Sequence, residues 1–200
     1  KLNADEQQEI AGQLSEMFGV RSIPFCVMFV GGQPVDGFVG ALPEAQIREF
    51  LDKHVPSTDA LEAQADVEEA QALAAEGDPD AALAKLQEAV AIDPANDAAR
   101  ADYVRMLMDR SLTDPSLLTV AKQAFAPVAG KVMGDARLSA LGQWLEACDK
   151  APQARTPEQL AAAVAGNKRD FEARFEWAQV QLARGHFTGA LDELLEIIMR

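Results

Sequence analysis

The sequence predicts an α+β protein in which a short unit of helices and strands precedes an all-α repeat region. Three observations lead to this fold class. The apolar run from Phe25 to Val30 is followed by two glycines and an alternating segment, as in a β-hairpin. From Ser57 onward the composition shifts toward alanine, and strand-like runs disappear. A helix, glycine, helix pattern around Gly77 returns around Gly185, which indicates an internal repeat.

The first unit, residues 1–56, is predicted to run helix, strand, strand, helix. Apolar residues at helical spacing favour a helix from Asp5 to a left-handed stop at Gly19. The continuous apolar strand has the pattern of a strand covered on both faces. Pro34 to Val39 is expected to return as an antiparallel edge strand. Pro43 is expected in the first turn of a second helix that Pro56 stops.

The second unit, residues 57–200, is predicted to contain helices only. Aligning Gly77 with Gly185 also aligns Ala82 with Ala190. The two glycines lie 108 positions apart, close to three repeats of about 34 residues. A plain antiparallel helical bundle would fit the alanine-rich pattern as well. The predicted helices are 61–76, 80–92, 96–110, 115–126, 135–149, 157–165, 171–184 and 188–199.

Composition and charge exclude several function classes. The 200 residues are 48% hydrophobic and 25% charged, which is typical of a globular chain and excludes disorder throughout. The formal charge of −14 would repel a phosphate backbone and an anionic membrane alike, so we expect neither nucleic acid nor membrane as a partner. Long acidic runs are expected to be solvated helix faces.

The cysteine and histidine content predicts no cofactor, no metal site and no catalytic residue in this chain. Cys26 and Cys148 fall in different units, so a disulfide scaffold is not expected and a reducing cytoplasm fits best. His54 and His186 are too isolated in the sequence for a metal centre or a dyad. Cys148 follows an apolar helical stripe and is expected in the core.

The first unit resembles the C-terminal half of thioredoxin. The match lies in the order of Lys1-Leu2-Asn3, a helix, Val20-Arg21-Ser22-Ile23-Pro24, an apolar strand, a Gly-Gly hairpin and a helix. The string VRSIPFCVMFVGGQPVDGFVG is the most characteristic part. This resemblance implies a cis bond between Ile23 and Pro24, where the alternative is an ordinary trans proline opening a strand.

The segment GDPDAALAKLQEAVAIDP, from Gly77 to Pro94, resembles a tetratricopeptide repeat. A thioredoxin-like unit followed by tetratricopeptide repeats is similar to the chaperedoxin family. They imply a bacterial, cytoplasmic stress-response holdase that captures unfolding or oxidised client proteins and passes them to the chaperonin and Hsp70 systems. Some members of that family also carry out thiol-disulfide exchange, a part of redox homeostasis.

The resemblance also implies that parts of the family's architecture are not in this sequence. The thioredoxin C-x-x-C pair lies on the other half of that fold, and no such pair occurs here. A central strand would separate a short strand at Lys1–Asn3 from the strand at Phe25. The apolar stripe of Leu191, Leu194, Leu195 and Ile198 has no helix after it to cover it. We therefore expect a longer natural protein, extended at both ends.

The resemblance makes Ile23 and Pro24 the candidate client-binding residues. In thioredoxins the residue before the cis proline offers its backbone to an extended client peptide. Phe25 follows where threonine is common, which alters the groove. Cys26 lies two residues beyond Pro24 and is a candidate redox residue, although a cysteine in a buried strand usually behaves as an inert apolar side chain.

The inner face of the repeat region is a second expected binding surface. Flexible methionines could line it or fill core gaps; they are Met106, Met108, Met133 and Met199. Three functions stay open. The leading one is a protein-binding holdase, the second is a thiol-disulfide oxidoreductase whose C-x-x-C pair precedes this segment, and the third is a scaffold adaptor.

Overall fold

The computed structural model describes residues 2–20 and 22–199. The chain divides into two compact units, Lys1–Ser57 and Thr58–Arg200, and each is described by itself. The first contains two helices and a two-stranded sheet, and the second is helical, which confirms the predicted α+β fold class.

The first unit runs in the predicted order of helix, strand, strand and helix. Helix α1 ends at Gly19, whose φ of 65° is the left-handed conformation expected of a glycine stop. Pro43 precedes α2 as its N-cap, with a ψ of 149°, so the prediction that it occupies the first helical turn is wrong by one position. The elements are α1 (Gln8–Phe18), β1 (Phe25–Val30), β2 (Gln33–Val39) and α2 (Glu44–His54).

The two strands form an antiparallel hairpin with one irregularity. Met28 pairs with Asp36 and Phe29 pairs with Pro34, so Val35 is an extra residue that has no partner in β1. Gly37 lies so close to β1 that a Cβ atom there would come within 2.7 Å of the Cys26 carbonyl oxygen. Only glycine fits this approach without a backbone shift.

Aromatic contacts attach one helix to each face of the hairpin. The Phe18 ring of α1 lies 5.6 Å from the Phe25 ring and 6.5 Å from the Phe29 ring, centroid to centroid. The Phe38 ring of β2 lies 5.0 Å from the Phe50 ring of α2. Successive strand residues point to opposite faces, so these two contact sets hold α1 and α2 on opposite sides of the sheet.

The prediction that β1 is covered on both faces is wrong for this unit. Phe29 is 52% exposed and Val30 is 53% exposed, and none of residues 2–20 and 22–57 is buried. The physical reason is that two strands and two helices supply too little surface to enclose an apolar strand. Leu2 and Asn3 form no strand, and Lys1 lies outside the described residues.

The second unit consists of eight described helices and two short 3-10 turns. Most helices begin at a residue whose side chain accepts a hydrogen bond from the first turn: Asp78, Asn96, Asp135, Thr156 and Asp170. The helices are α3 (Thr58–Glu76), α4 (Pro79–Ile92), α5 (Asp97–Ser111), α6 (Ser116–Phe125), α7 (Ala136–Lys150), α8 (Pro157–Gly166), α9 (Phe171–Ala183) and α10 (Phe187–Ile198). The 3-10 turns are Ala126–Lys131 and Ala151–Gln153.

The core of the second unit lies between packed helices. Small side chains let α3 and α4 approach closely, since Ala63, Ala82 and Ala89 are each fully buried. The largest fully buried side chains are Leu107, Met108, Leu138, Leu160, Val104 and Val128. Residues of this size, buried completely, are the main source of stability in a domain of this kind.

An ion pair occupies the same place in the first and the last helix pair. Asp66 of α3 contacts Lys85 of α4, with 3.3 Å between Oδ1 and Nζ. Arg174 of α9 contacts Glu193 of α10. Both members of the second pair lie 108 positions after those of the first, which is the spacing from Gly77 to Gly185. The two helix pairs are therefore structurally equivalent, with the charges exchanged.

Candidate protein-binding site

The segment before β1 exposes the residues that the sequence singled out for client binding. The peptide bond between Ile23 and Pro24 is cis, which confirms that prediction. The Ile23 side chain is 80% exposed. The Pro24 carbonyl accepts a hydrogen bond from the Gly40 N–H at 2.8 Å, so the end of β2 holds the proline in place.

The backbone on the open side of this segment is available to an additional strand. Neither the N–H nor the C=O of Ile23 has a hydrogen-bond partner within residues 2–20 and 22–199. Among the same residues β1 pairs with β2 alone, so its other edge carries unpaired donors and acceptors. An extended peptide can satisfy such groups by strand addition.

Cys26 is exposed, so the expectation that it is a buried, inert side chain is wrong. It lies opposite Phe38 in the hairpin, and the small unit leaves that position open to solvent. The thiol is the only one in the first unit. This arrangement supplies an accessible sulfur atom but no second cysteine with which it could form a disulfide in the same unit.

Cys148 has a different environment on α7. It is half-buried against the core, and its Sγ donates a weak hydrogen bond to the Ala183 carbonyl at 3.7 Å. Burial raises the pKa of this thiol and the nearby Asp149 raises it further, while Lys122 opposes the shift. A protonated thiol is a poor nucleophile, so Cys148 belongs to the packing of the repeat unit, as expected.

A charged cluster that was not predicted from the sequence joins the end of α2 to β2. The Asp36 Oδ2 atom lies 2.8 Å from Lys53 Nζ and 2.7 Å from His54 Nε2. The hydrogen bond from Lys53, followed by those from His54 and the Gly37 N–H, holds the pKa of Asp36 well below its usual range. His54 is therefore not isolated, and its role is to fasten α2 to the hairpin. His186 is exposed and precedes α10 as its N-cap.

The repeat unit exposes apolar side chains mainly on its last two helices. Met106 and Met108 are buried and fill the core, whereas Met133 is 97% and Met199 81% exposed. The exposed large apolar residues of α9 and α10 are Phe171, Phe175, Phe187, Leu191, Leu194, Leu195 and Ile198. Exposed apolar patches of this kind are typical of protein-binding surfaces.

Other site classes find no support in the part of the chain that the structure describes. Residues 2–20 and 22–199 contain no cluster of three or more acidic, histidine or cysteine side chains able to hold a metal ion. No helix among those residues combines the length and the apolar character needed to span a membrane.

Both parts of the chain are similar to known proteins. Tetratricopeptide repeat families match residues 73–114 and 150–200. Thioredoxin from Chlorobaculum thiosulfatiphilum is 47% identical over 55 residues, which is 28% of this chain and 47% of that protein. Thioredoxin 1 from Nostoc sp. is 44% identical over 55 residues, 28% of this chain and 48% of the relative. Thioredoxin from Haemophilus influenzae is 42% identical over 55 residues, which is 28% of this chain and 48% of that protein.

The chain spans about half the length of the thioredoxins it matches, and the tetratricopeptide matches fall entirely within the helical unit. Tetratricopeptide helices stack into solenoids whose surfaces bind other proteins. The chain therefore combines a thioredoxin-like segment with tetratricopeptide repeats, an architecture that indicates protein binding.

Proposed function

We propose that this protein is a holdase chaperone of the chaperedoxin type. It captures unfolding or oxidised client proteins and hands them to the chaperonin and Hsp70 systems during stress. The first 56 residues act as the C-terminal half of a thioredoxin-like domain, and residues 57–200 act as the repeat domain. The proposed location is the bacterial cytoplasm, where both unpaired cysteines remain reduced.

The observation that carries this proposal is the exposed Ile23 before the cis proline. Its side chain is 80% exposed, and its backbone groups have no partner among the described residues. An unfolding client offers extended backbone and apolar side chains at once. Strand addition at Ile23 and Pro24 would supply hydrogen bonds to the client backbone, and the Ile23 side chain would cover part of the client's apolar surface.

The repeat unit supports capture that does not depend on client sequence. Its exposed phenylalanine, leucine and methionine side chains offer adaptable apolar contacts. The excess of acidic side chains keeps the protein soluble and self-repelling while apolar surface is exposed. A holdase needs both properties, because it must bind clients with exposed apolar surface without aggregating itself.

An aggregation assay tests the proposal. Light scattering of a heat-treated or hypochlorite-treated client is recorded with the protein and with its Ile23→Asp variant. We expect the protein to suppress scattering and the variant to lose most of this effect, because an apolar segment that packed on the site would have to bury an unpaired carboxylate. Val55→Asp is the matched control, since Val55 is also an exposed aliphatic residue of the first unit, at 49%, but lies after α2 and not before β1.

The outcomes of this assay separate the candidate functions. Absence of suppression by the unmodified protein overturns the holdase and leaves thiol-disulfide exchange and the scaffold adaptor. Equal loss in the Ile23→Asp and Val55→Asp variants moves client capture away from Ile23 and Pro24.

The second candidate function is thiol-disulfide exchange, and the exposure of Cys26 favours it. The thiol lies two residues after Pro24, next to the proposed client segment, and is open to solvent. The Cys26 thiolate would attack the disulfide of an oxidised client, which forms a mixed disulfide and releases one client thiol. A cysteine of the C-x-x-C pair that the resemblance implies would then attack Cys26, which releases the second client thiol and leaves a disulfide on the protein. Trapping a mixed disulfide between Cys26 and a client, absent in Cys26→Ser, would support this function; labelling at Cys148 alone would exclude it.

A further inference from the structure

A groove in the repeat unit lies where the C-terminal ends of α5, α7 and α9 meet the start of α6. Its volume is about 340 Å³, which is at the lower end of the range for small-molecule sites in proteins. Most of its wall is apolar, and the apolar lining residues are Leu112, Pro115, Leu118, Ala151, Pro152 and Ala183. None of them belongs to α10, so the groove is separate from the exposed apolar side chains of that helix.

Contacts between the helices hold the wall of the groove in shape. A Cβ atom at Gly185 would lie 2.7 Å from the Leu112 Cδ1 atom, so the Leu112 side chain packs directly on the turn between α9 and α10. Cys148 lines the groove from α7, and its Sγ donates to the Ala183 carbonyl of α9 at 3.7 Å. The walls from α5, α7 and α9 are therefore in place before any ligand binds.

Arg184 is the only charged side chain among the residues that line the groove. Its guanidinium forms no ion pair with a carboxylate of residues 2–20 and 22–199. The pKa of Glu158 is lowered by hydrogen bonds with the backbone and Thr156, and the charge of Arg184 adds to this shift without a salt bridge. The groove thus combines an apolar wall with one guanidinium that has no carboxylate partner in the described chain.

We propose that this groove binds a medium-chain aliphatic carboxylate, with the chain along the apolar wall and the carboxylate on Arg184. The uncharged polar groups of the wall are the Ser111 hydroxyl and the Cys148 thiol, and both already donate to backbone carbonyls, so an apolar chain leaves no donor unpaired. The planar guanidinium matches a carboxylate and repels a cationic group. The small volume favours one short chain over a two-chain lipid.

Protection of Cys148 from alkylation tests the proposal, because this thiol lies on the wall of the groove. In the full chain with Cys26→Ser, Cys148 is the one remaining thiol, and its reaction with N-ethylmaleimide is followed by intact mass. Saturating octanoate, kept below its micelle-forming concentration, should slow this reaction about fivefold or more. The Kd should fall about two- to fourfold for each methylene added between hexanoate and octanoate. The uncharged analogue 1-octanol should bind about fivefold more weakly than octanoate.

A charge-removing variant tests the role of Arg184. Arg184→Met keeps an apolar stem, and it should weaken octanoate binding about fivefold while 1-octanol binding stays unchanged. Arg169→Met is the matched control, since Arg169 is also an exposed arginine of the repeat unit but does not line the groove, and it should bind both compounds normally.

Three results would overturn the proposal. The first is an alkylation rate that octanoate does not change, and the second is an equal Kd for octanoate and 1-octanol. The third is equal weakening by Arg184→Met and Arg169→Met, because the carboxylate would then not lie on Arg184. The groove is distinct from Ile23 and Pro24, and none of these measurements uses an unfolding client, so failure of the holdase assay leaves this result unaffected.

Discussion

The two units of the chain differ most in how far they bury their apolar residues. The repeat unit encloses leucine, methionine and valine side chains completely, whereas none of the described residues of the first unit is buried. Both contain regular helices with well-formed ends. Local sequence patterns therefore suffice to form helices and strands in both units. Burial also requires other elements that pack on the apolar faces, and in this chain only the repeat unit supplies them.

The largest expected effect comes from the core of the repeat unit. Leu107→Ala removes a side chain that is 1% exposed, and we expect the free energy of unfolding to fall by about 2–5 kcal/mol. Urea denaturation followed by circular dichroism measures the change. Leu61→Ala, at an exposed leucine of α3, should cost less than about 0.5 kcal/mol. Similar losses at the two positions would mean that the contrast between core and surface is not as described.

The next effect concerns the exchanged ion pairs. Glu193→Gln leaves the buried Arg174 guanidinium without its closest carboxylate, and we expect a loss of about 2 kcal/mol in urea denaturation. The double change Arg174→Asp/Glu193→Lys copies the polarity of Asp66 and Lys85 and should recover part of that loss. A double variant less stable than the single one would contradict the equivalence of the two helix pairs.

A smaller effect is expected at an aromatic residue of the first unit. Phe29→Ala removes a ring that is 52% exposed, so we expect the free energy of unfolding to fall by about 1 kcal/mol. The same change at a buried phenylalanine costs about 3–5 kcal/mol. Hydrogen exchange of the β1 and β2 amides measures it without interference from the repeat unit. A cost near the upper range would show that β1 is covered in solution, which would remove the contrast between the units.

The smallest effect is a pH dependence at Asp36. Its pKa is depressed in the folded chain, so its stabilisation is fully present above the ordinary aspartate value of 3.8 and is lost as the pH falls through the folded pKa. The stability difference between the unmodified chain and Asp36→Asn should therefore shrink as the pH falls below about 4. Asp52→Asn, an exposed carboxylate on α2, should not reproduce this profile.

Much of the fold could be predicted because its signals are local. Gly19, Gly77 and Gly185 end helices at positive φ, and capping residues such as Asp78 and Thr156 begin them. These signals lie within a few residues of the boundary they determine. The exposure of β1 could not be read in the same way, because an apolar run indicates only that a strand can be covered. Whether it is covered depends on other segments.

The candidate site was predicted in part for the same reason. The cis bond at Ile23 and Pro24 follows from a contiguous motif, whereas the contact between Asp36 and His54 joins residues 18 positions apart through the packing of a helix on a hairpin. The pairing of Asp66 with Lys85 could have been found from sequence. Arg174 and Glu193 have the same separation of 19 and lie one repeat spacing further on, with charges exchanged.

The exchange of acidic and basic residues between the two ion pairs also favours the correct pairing of helices over an incorrect one. If α3 paired with α10, Asp66 would face Glu193, and if α9 paired with α4, Arg174 would face Lys85. Each mismatch would bring like charges together at a poorly solvated position, while both correct pairings bring opposite charges together. The helix pairs α3/α4 and α9/α10 share one backbone arrangement but place the acidic and basic residues on opposite helices, so the charges favour pairing of each helix with its own neighbour.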